Sequence, residues 1–227
     1  MLKFAPILLA LLYGLLMYRF SAWRMARTLD AQSCELIDPA LNRLTKRMAD
    51  ALGLKRIRTH IYEIEAINGL AAPDGRIFIT RGFFNRYRQG DVSAEELASV
   101  IAHELGHVAL GHSRKRMIDF SGQNAMRTAL AMVLSRFLPG IGGYLAHGLM
   151  TLLTARLSRN DEFEADSYAT ALLIKSGIGT GAQISMFHKL DKFSGARGAA
   201  QPAWLLSHPK TAQRIAAIEK NQKSWKV

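Results

Sequence analysis

The chain of 227 residues has a single cysteine, Cys34, so an intrachain disulfide is excluded, and the lone thiol fits a reducing compartment. Acidic residues are scarce beside basic ones, 18 against 30, which gives a formal net charge of +12. That excess raises nucleic acid as a ligand, but the zinc-knuckle cysteines and the Gly/aromatic signature of a single-strand binder are both missing. No nucleic-acid partner is expected. The basic residues are spread out, with small clusters in "RLTKR" and "HSRKR". Such scatter describes a solvated helical surface or one drawn to anionic lipid headgroups. No internal repeat or low-complexity segment occurs. Long uncharged runs are also few, and each has its own reading.

The first, "FAPILLALLYGLLMY" (4–18), is followed by Arg19, Arg24 and Arg27. It is longer than a secretory h-region and shorter than a full span of about 20 apolar residues. The following "YRFSAW" offers no good cleavage site, and Tyr18 and Trp23 could sit at a membrane interface. The expectation is a single uncleaved N-terminal membrane helix over 1–23, a basic juxtamembrane linker over 24–34, and a folded domain over 35–227. The arginines place that domain in the cytosol by the positive-inside rule, with a periplasmic or otherwise exported domain as the alternative. The second uncharged run lies between Phe137 and Ala155, inside an apolar region over 125–157. Its "PGIGG" (139–143) favours two shorter helices in a hairpin, packed on the core, over entry into lipid.

Elsewhere the periodicity predicts a helix over 35–52 ended by Gly53, and a strand within "IRTHIYEI" (57–64). "NGLAAPDGRIFIT" (68–80) reads as an extended segment, a Pro-Asp-Gly turn and a strand. Ser93 with Glu96 three residues on forms a capping box, opening a helix that runs to about Leu110 and stops at Gly111. Further helices are expected over 158–177 and, after a loop, within "LLSHPKTAQRIAAIEK" (205–220).

The helix opened by Ser93 leads into "SVIAHELGHVALGH" (99–112). His103 and His107 are four apart, so on a helix both imidazoles lie on one face and can reach one ion. Glu104 sits beside them, placed to take a proton from the water such an ion activates. A catalytic zinc needs a third protein ligand and an open position. Leu110 and Ser113 exclude the metzincin arrangement. His112 is five residues beyond His107 and would have to fold back. "EFEAD" (162–166) offers Glu162 and Asp166 four apart on one helical face, with Glu164 roughly 200° away from Glu162. A carboxylate ligand with a neighbouring Asp that orients a ligating imidazole is a sensible first and outer shell. His208, before Pro209, is read either as a donor to a reaction oxyanion or as a loop residue capping the last helix.

"HELGH", "SRNDEFEADSYA", "NGLAAPDGRIFITRGFF" and "LSHPKTAQRI" together resemble the HtpX-like and prenyl (CAAX) endoprotease family of zinc metallopeptidases, in consistent order over about residues 40–220. The resemblance implies an α+β fold, a mainly helical zincin-type domain with a small β-sheet whose edge strand precedes the HExxH helix. It implies one Zn2+ on His103, His107 and Glu162, with Glu104 as general base and Asp166 behind the ligands. It also implies that His208 and Arg214 lie near a polypeptide substrate and that Asn68 and Gly69 border it. The family usually has Asn-Ala where this chain has Asn68-Gly69, and the chain lacks the multiple long spans of the prenyl endoproteases. The activity so implied is a zinc endopeptidase acting on membrane-associated or misfolded proteins, with lipid contact through the N-terminal helix. The alternative is a catalytically silent, membrane-tethered binding module of the same fold.

Overall fold

The computed structural model describes residues 5–112, 131, 133–195, 208 and 211–225. Its elements, in chain order, are helix α1 (Ala5–Ala31), strand β1 (Ser33–Glu35), helix α2 (Pro39–Leu52), strands β2 (Thr59–Tyr62), β3 (Gly69–Ala71) and β4 (Ile77–Thr80), then helices α3 (Arg81–Arg88), α4 (Ala94–Ala109), α5 (Gly142–Lys175), α6 (Gly181–Gly195) and α7 (Thr211–Trp225). The fold is mainly helical with one four-stranded sheet, as expected for an α+β domain.

The N-terminal apolar run does become helical, and α1 continues unbroken past Trp23 to Ala31. Among the described residues, however, no helix is long and apolar enough to cross a membrane. The expected membrane-spanning helix, and lipid contact through it, are therefore not supported among the described residues. The uncharged run itself stops at Arg19, short of the roughly 20 residues a span requires. At the other end of α1, Leu29 is buried against Phe78 and Ala72 on the outer face of the sheet, and Asp30 pairs with Arg76 at 2.5 Å.

The helix expected from residue 35 starts later. Asp38 caps α2 by accepting from the Ala40 and Leu41 amides, and Pro39 opens the first turn, where its missing N–H costs nothing. Residues 33–35 instead pair antiparallel with β2. The sheet order is β1-β2-β4-β3, with β2 and β4 parallel and β3 and β4 antiparallel. β3 is therefore a sheet edge, and it lies against α4. All four residues of β4 are buried because both sheet faces are covered: Ile77 and Ile79 enter the main core, while Phe78 meets Leu29.

The main core joins the sheet to α2, α4, α5 and α6 through Leu41, Met48, Leu97, Ile101, Leu173 and Met186, among others. Helix α4 is central to it, with every residue from Glu96 to His107 buried. Its start is fixed by the expected capping box, in which Ser93 Oγ accepts from Glu96 N and the Glu96 carboxylate accepts from Ser93 N. Burial of Glu96 is offset by Ser185 and Lys189 on α6, which donate to it at 2.6 and 2.7 Å.

Residues 133–137 are helical and the helix is interrupted over 138–141, at the start of "PGIGG" (139–143). Beyond the break the expectation of a short hairpin helix followed by a separate one at 158 is corrected: α5 is one helix of 34 residues. Nothing at 157–158 can stop a helix, since neither glycine nor proline occurs between Thr151 and Ser176. The first half of the expected hairpin, 125–130, and residues 205–207 lie outside the described residues.

Candidate metal centre

Helices α4 and α5 cross at Gly106. A Cβ there would stand 3.0 Å from the Ala165 carbonyl oxygen and 3.1 Å from its Cα. The missing side chain lets the two backbones approach, and this brings residues 162 and 166 of α5 over the histidines of α4. The hydrophobic core thus supplies the scaffold, and one glycine sets the spacing at which the polar residues meet.

His103, His107, Glu162 and His208 each turn one nitrogen or oxygen inward, and these atoms all lie within 4.8 Å of one another. His103 Nε2 is 3.1 Å from His107 Nε2 and 3.4 Å from Glu162 Oε2. His107 Nε2 is 3.5 Å from Glu162 Oε1. Donors each about 2.0–2.1 Å from a shared tetrahedral ion would be roughly 3.4 Å apart, so these separations fit zinc-like ligation. The donor set is also right in kind: imidazole nitrogens and a carboxylate, all buried. His208, expected beside the substrate, also lies within this cluster. Its Nδ1 is 3.3 Å from His103 Nε2 and donates to Glu162 Oε2 at 2.5 Å.

The surroundings hold the donors in place. Asp166 Oδ1 accepts from His103 Nδ1 at 2.9 Å, which leaves Nε2 as the inward lone pair whenever that ring is neutral, as a metal ligand must be. Arg214 grips Asp166 through two nitrogens, Nε at 2.5 Å and Nη2 at 2.7 Å, and donates to the His208 carbonyl at 3.1 Å. Arg214, expected near the substrate, is only 1% exposed. Its guanidinium lies beneath the cluster, with the Phe187 ring 4.7 Å away. Gln183 on α6 donates to the Asp166 carbonyl and accepts from Thr170.

Burial and charge oppose each other here. Desolvation pushes the His103 imidazole down, but hydrogen bonds to Asp166 and Glu162 outweigh it and raise the group to about 9. Desolvation alone would raise both carboxyls; His103 and His208 hold Glu162 well below the usual carboxylate range, and Arg214 does the same for Asp166. Both carboxylates therefore stay ionised where a cation is to be held.

Glu104 is 2% exposed, and among the described residues its Oε1 has no hydrogen-bond partner, although His208 Nε2 stands 3.5 Å away. A buried carboxylate oxygen left in that state is costly, and it is the atom a base needs free. Beside it stands Gly69 of β3, where a Cβ would meet Glu104 Oε1 at 3.3 Å and Val100 Cγ1 at 3.1 Å. This explains the glycine after Asn68: the edge strand lies so close to Glu104 and Val100 that even alanine would be tight. Asn68 Oδ1 accepts from the Gly69 amide, and its main chain is tied to Thr80.

Sequence reasoning missed that His208 points into the donor set, that Arg214 is buried, and that Gly106 sets the helix spacing. Only the small residue at 106, in the middle of "HELGH", hinted at the last of these.

The comparisons with known proteins agree with this geometry. The sequence model of peptidase family M48 matches residues 35–222. Over 210 residues the chain is 32% identical to the metalloprotease LoiP of Escherichia coli (strain K12), covering 85% of this chain and 78% of that protein. It is 28% identical over 210 residues to a protease HtpX homologue of Bordetella avium (strain 197N), covering 76% of this chain and 67% of the relative. It is 23% identical over 180 residues to the human mitochondrial metalloendopeptidase OMA1, covering 75% of this chain but 34% of that protein. The chain is a metallopeptidase. It belongs to peptidase family M48, in accord with the HtpX-like resemblance of its motifs.

Proposed function

We propose that the protein is a zinc-dependent endopeptidase that binds one Zn2+ through His103, His107 and Glu162 and uses Glu104 as its general base. The observation that carries this reading is the buried Glu104 carboxylate, whose Oε1 accepts no hydrogen bond among the described residues, beside a buried cluster of three imidazoles and a carboxylate. A bound zinc ion would polarise the scissile carbonyl and lower the pKa of the attacking water. Glu104 takes the proton from that water and returns it to the leaving amine. His208, whose Nε2 is 3.5 Å from Glu104 Oε1, is assigned the donor role toward the developing oxyanion. Asp166 and Arg214 act from behind, keeping the His103 lone pair directed inward.

The substrate is a polypeptide that lies along β3. The position of β3 at the sheet edge supports this: an extended chain can add to such an edge through main-chain hydrogen bonds, with Asn68 and Gly69 bringing it next to the base. Recognition of that kind is weak in side-chain specificity, which suits misfolded or membrane-associated protein as the substrate class.

The test is a casein-type cleavage assay on wild type and Glu104→Gln, each with and without chelator, alongside metal analysis. The expected result is stoichiometric zinc in both proteins and chelator-sensitive cleavage by wild type alone. Absence of zinc from wild type, or undiminished cleavage by Glu104→Gln, overturns the reading.

A further inference from the structure

We propose that His112 is a positioning residue of the metal centre, holding His107 from behind through a Glu164–His112–His107 hydrogen-bond relay. The inference rests on reading His107 as a metal ligand. His107 Nε2 faces His103 and Glu162, so it is the ligating atom and must carry a lone pair. In a neutral imidazole the proton then sits on Nδ1. That nitrogen is 3.1 Å from His112 Nδ1, and two ring nitrogens at this distance share a single proton. His107 donates and His112 accepts. His112 must then carry its own proton on Nε2, which is 3.2 Å from Glu164 Oε2 and 3.7 Å from Asp161 Oδ1. Each link sets the polarity of the next, and the series ends on carboxylates that can only accept.

The backbone is built for this contact. Gly111 takes a φ of 73°, a left-handed conformation that ends α4 and turns the chain back. His112 is thereby buried to 3% exposure rather than extended into solvent. Glu164, facing away from Glu162 on α5, is on the side of the helix that His112 reaches. His103 is held by a carboxylate directly; His107 is reached through an intervening ring.

Outer partners of this kind orient the ring and make the ligating nitrogen more basic, and their loss costs about 10–100-fold in metal affinity. The test measures zinc affinity of the full chain by competition with a chromogenic chelator, and the visible absorption of the cobalt-substituted protein. Variants are His112→Leu, His112→Asn and Glu164→Leu, each checked by thermal melting. His112→Leu is expected to weaken zinc binding about 10–100-fold and to shift the cobalt bands. His112→Asn places an amide oxygen where Nδ1 stands and should restore most of the affinity. Glu164→Leu should have a smaller effect in the same direction, because Asp161 remains as an acceptor. Wild-type affinity in His112→Leu, or a His112→Asn variant as weak as His112→Leu, overturns the relay; if His112→Leu does not fold, the Asn and Glu164 variants decide. Failure of wild type to bind zinc at all would refute the site reading itself, a distinct result.

Discussion

Two sets of carboxylates in this protein make ion pairs of similar length and have very different consequences. At the seam of α4 and α5, Glu162 and Asp166 are each 1% exposed and engage histidines and Arg214. Around the sheet, Glu63 pairs with Arg81 at 2.5 Å and Asp30 with Arg76 at 2.5 Å, but Glu63 and Asp30 are 45% and 59% exposed. Distance does not separate the two groups. Burial does: solvent screens the outer pairs to near neutrality in stability, whereas the inner ones cannot lose a partner without stranding a charge. Charge placed inside at such cost points to function, while charge outside points to solubility.

The comparison can be broken most sharply at the base. Glu104→Gln should lower kcat by about 10²–10⁴-fold, measured on a peptide substrate, with zinc content unchanged. Next, His208→Ala should reduce kcat by about 10²–10³-fold, while metal analysis still finds one zinc on the remaining donors. Asp166→Asn is expected to cost about 10–100-fold in zinc affinity by chelator competition, and equal affinity would show that the inner pair is no more consequential than an outer one.

Glu96 lies between the two extremes, buried yet tied to a half-exposed lysine. Desolvation raises its carboxyl, but Lys189, Ser185 and the Ser93 amide outweigh it and hold the group below its ordinary 4.5. A depressed folded-state pKa means that the stabilisation is present above 4.5 and is lost as pH falls through the folded value. Glu96→Gln should therefore cost about 1–2 kcal/mol at pH 7, and urea titrations of the two proteins should converge as the pH falls below the depressed folded value. The smallest effect is expected for Glu63→Gln, below about 1 kcal/mol and diminishing with added salt.

The inner set was also the more legible in the sequence. His103 and His107, and then Glu162 and Asp166, follow a four-residue period that a helix converts directly into a shared face, with Glu104 beside the first pair. The Ser93–Glu96 capping box is local chemistry and was equally readable. What escaped depends on contacts between distant segments. Strand β1 is three residues long and exists because β2 pairs with it. The continuity of α5 through residue 158 has no local marker. Arg214 could be placed near the cleft by its motif, but its burial follows from Asp166 being within reach, 48 residues away in sequence.

The donor set has one more consequence, for a chain that cannot make a disulfide. Residues 103 and 162, whose donor atoms stand 3.4 Å apart, come from two helices far apart in the chain. An ion held at that point would staple those segments as a cross-link does, reducing the freedom of the unfolded chain and coupling folding to metal supply.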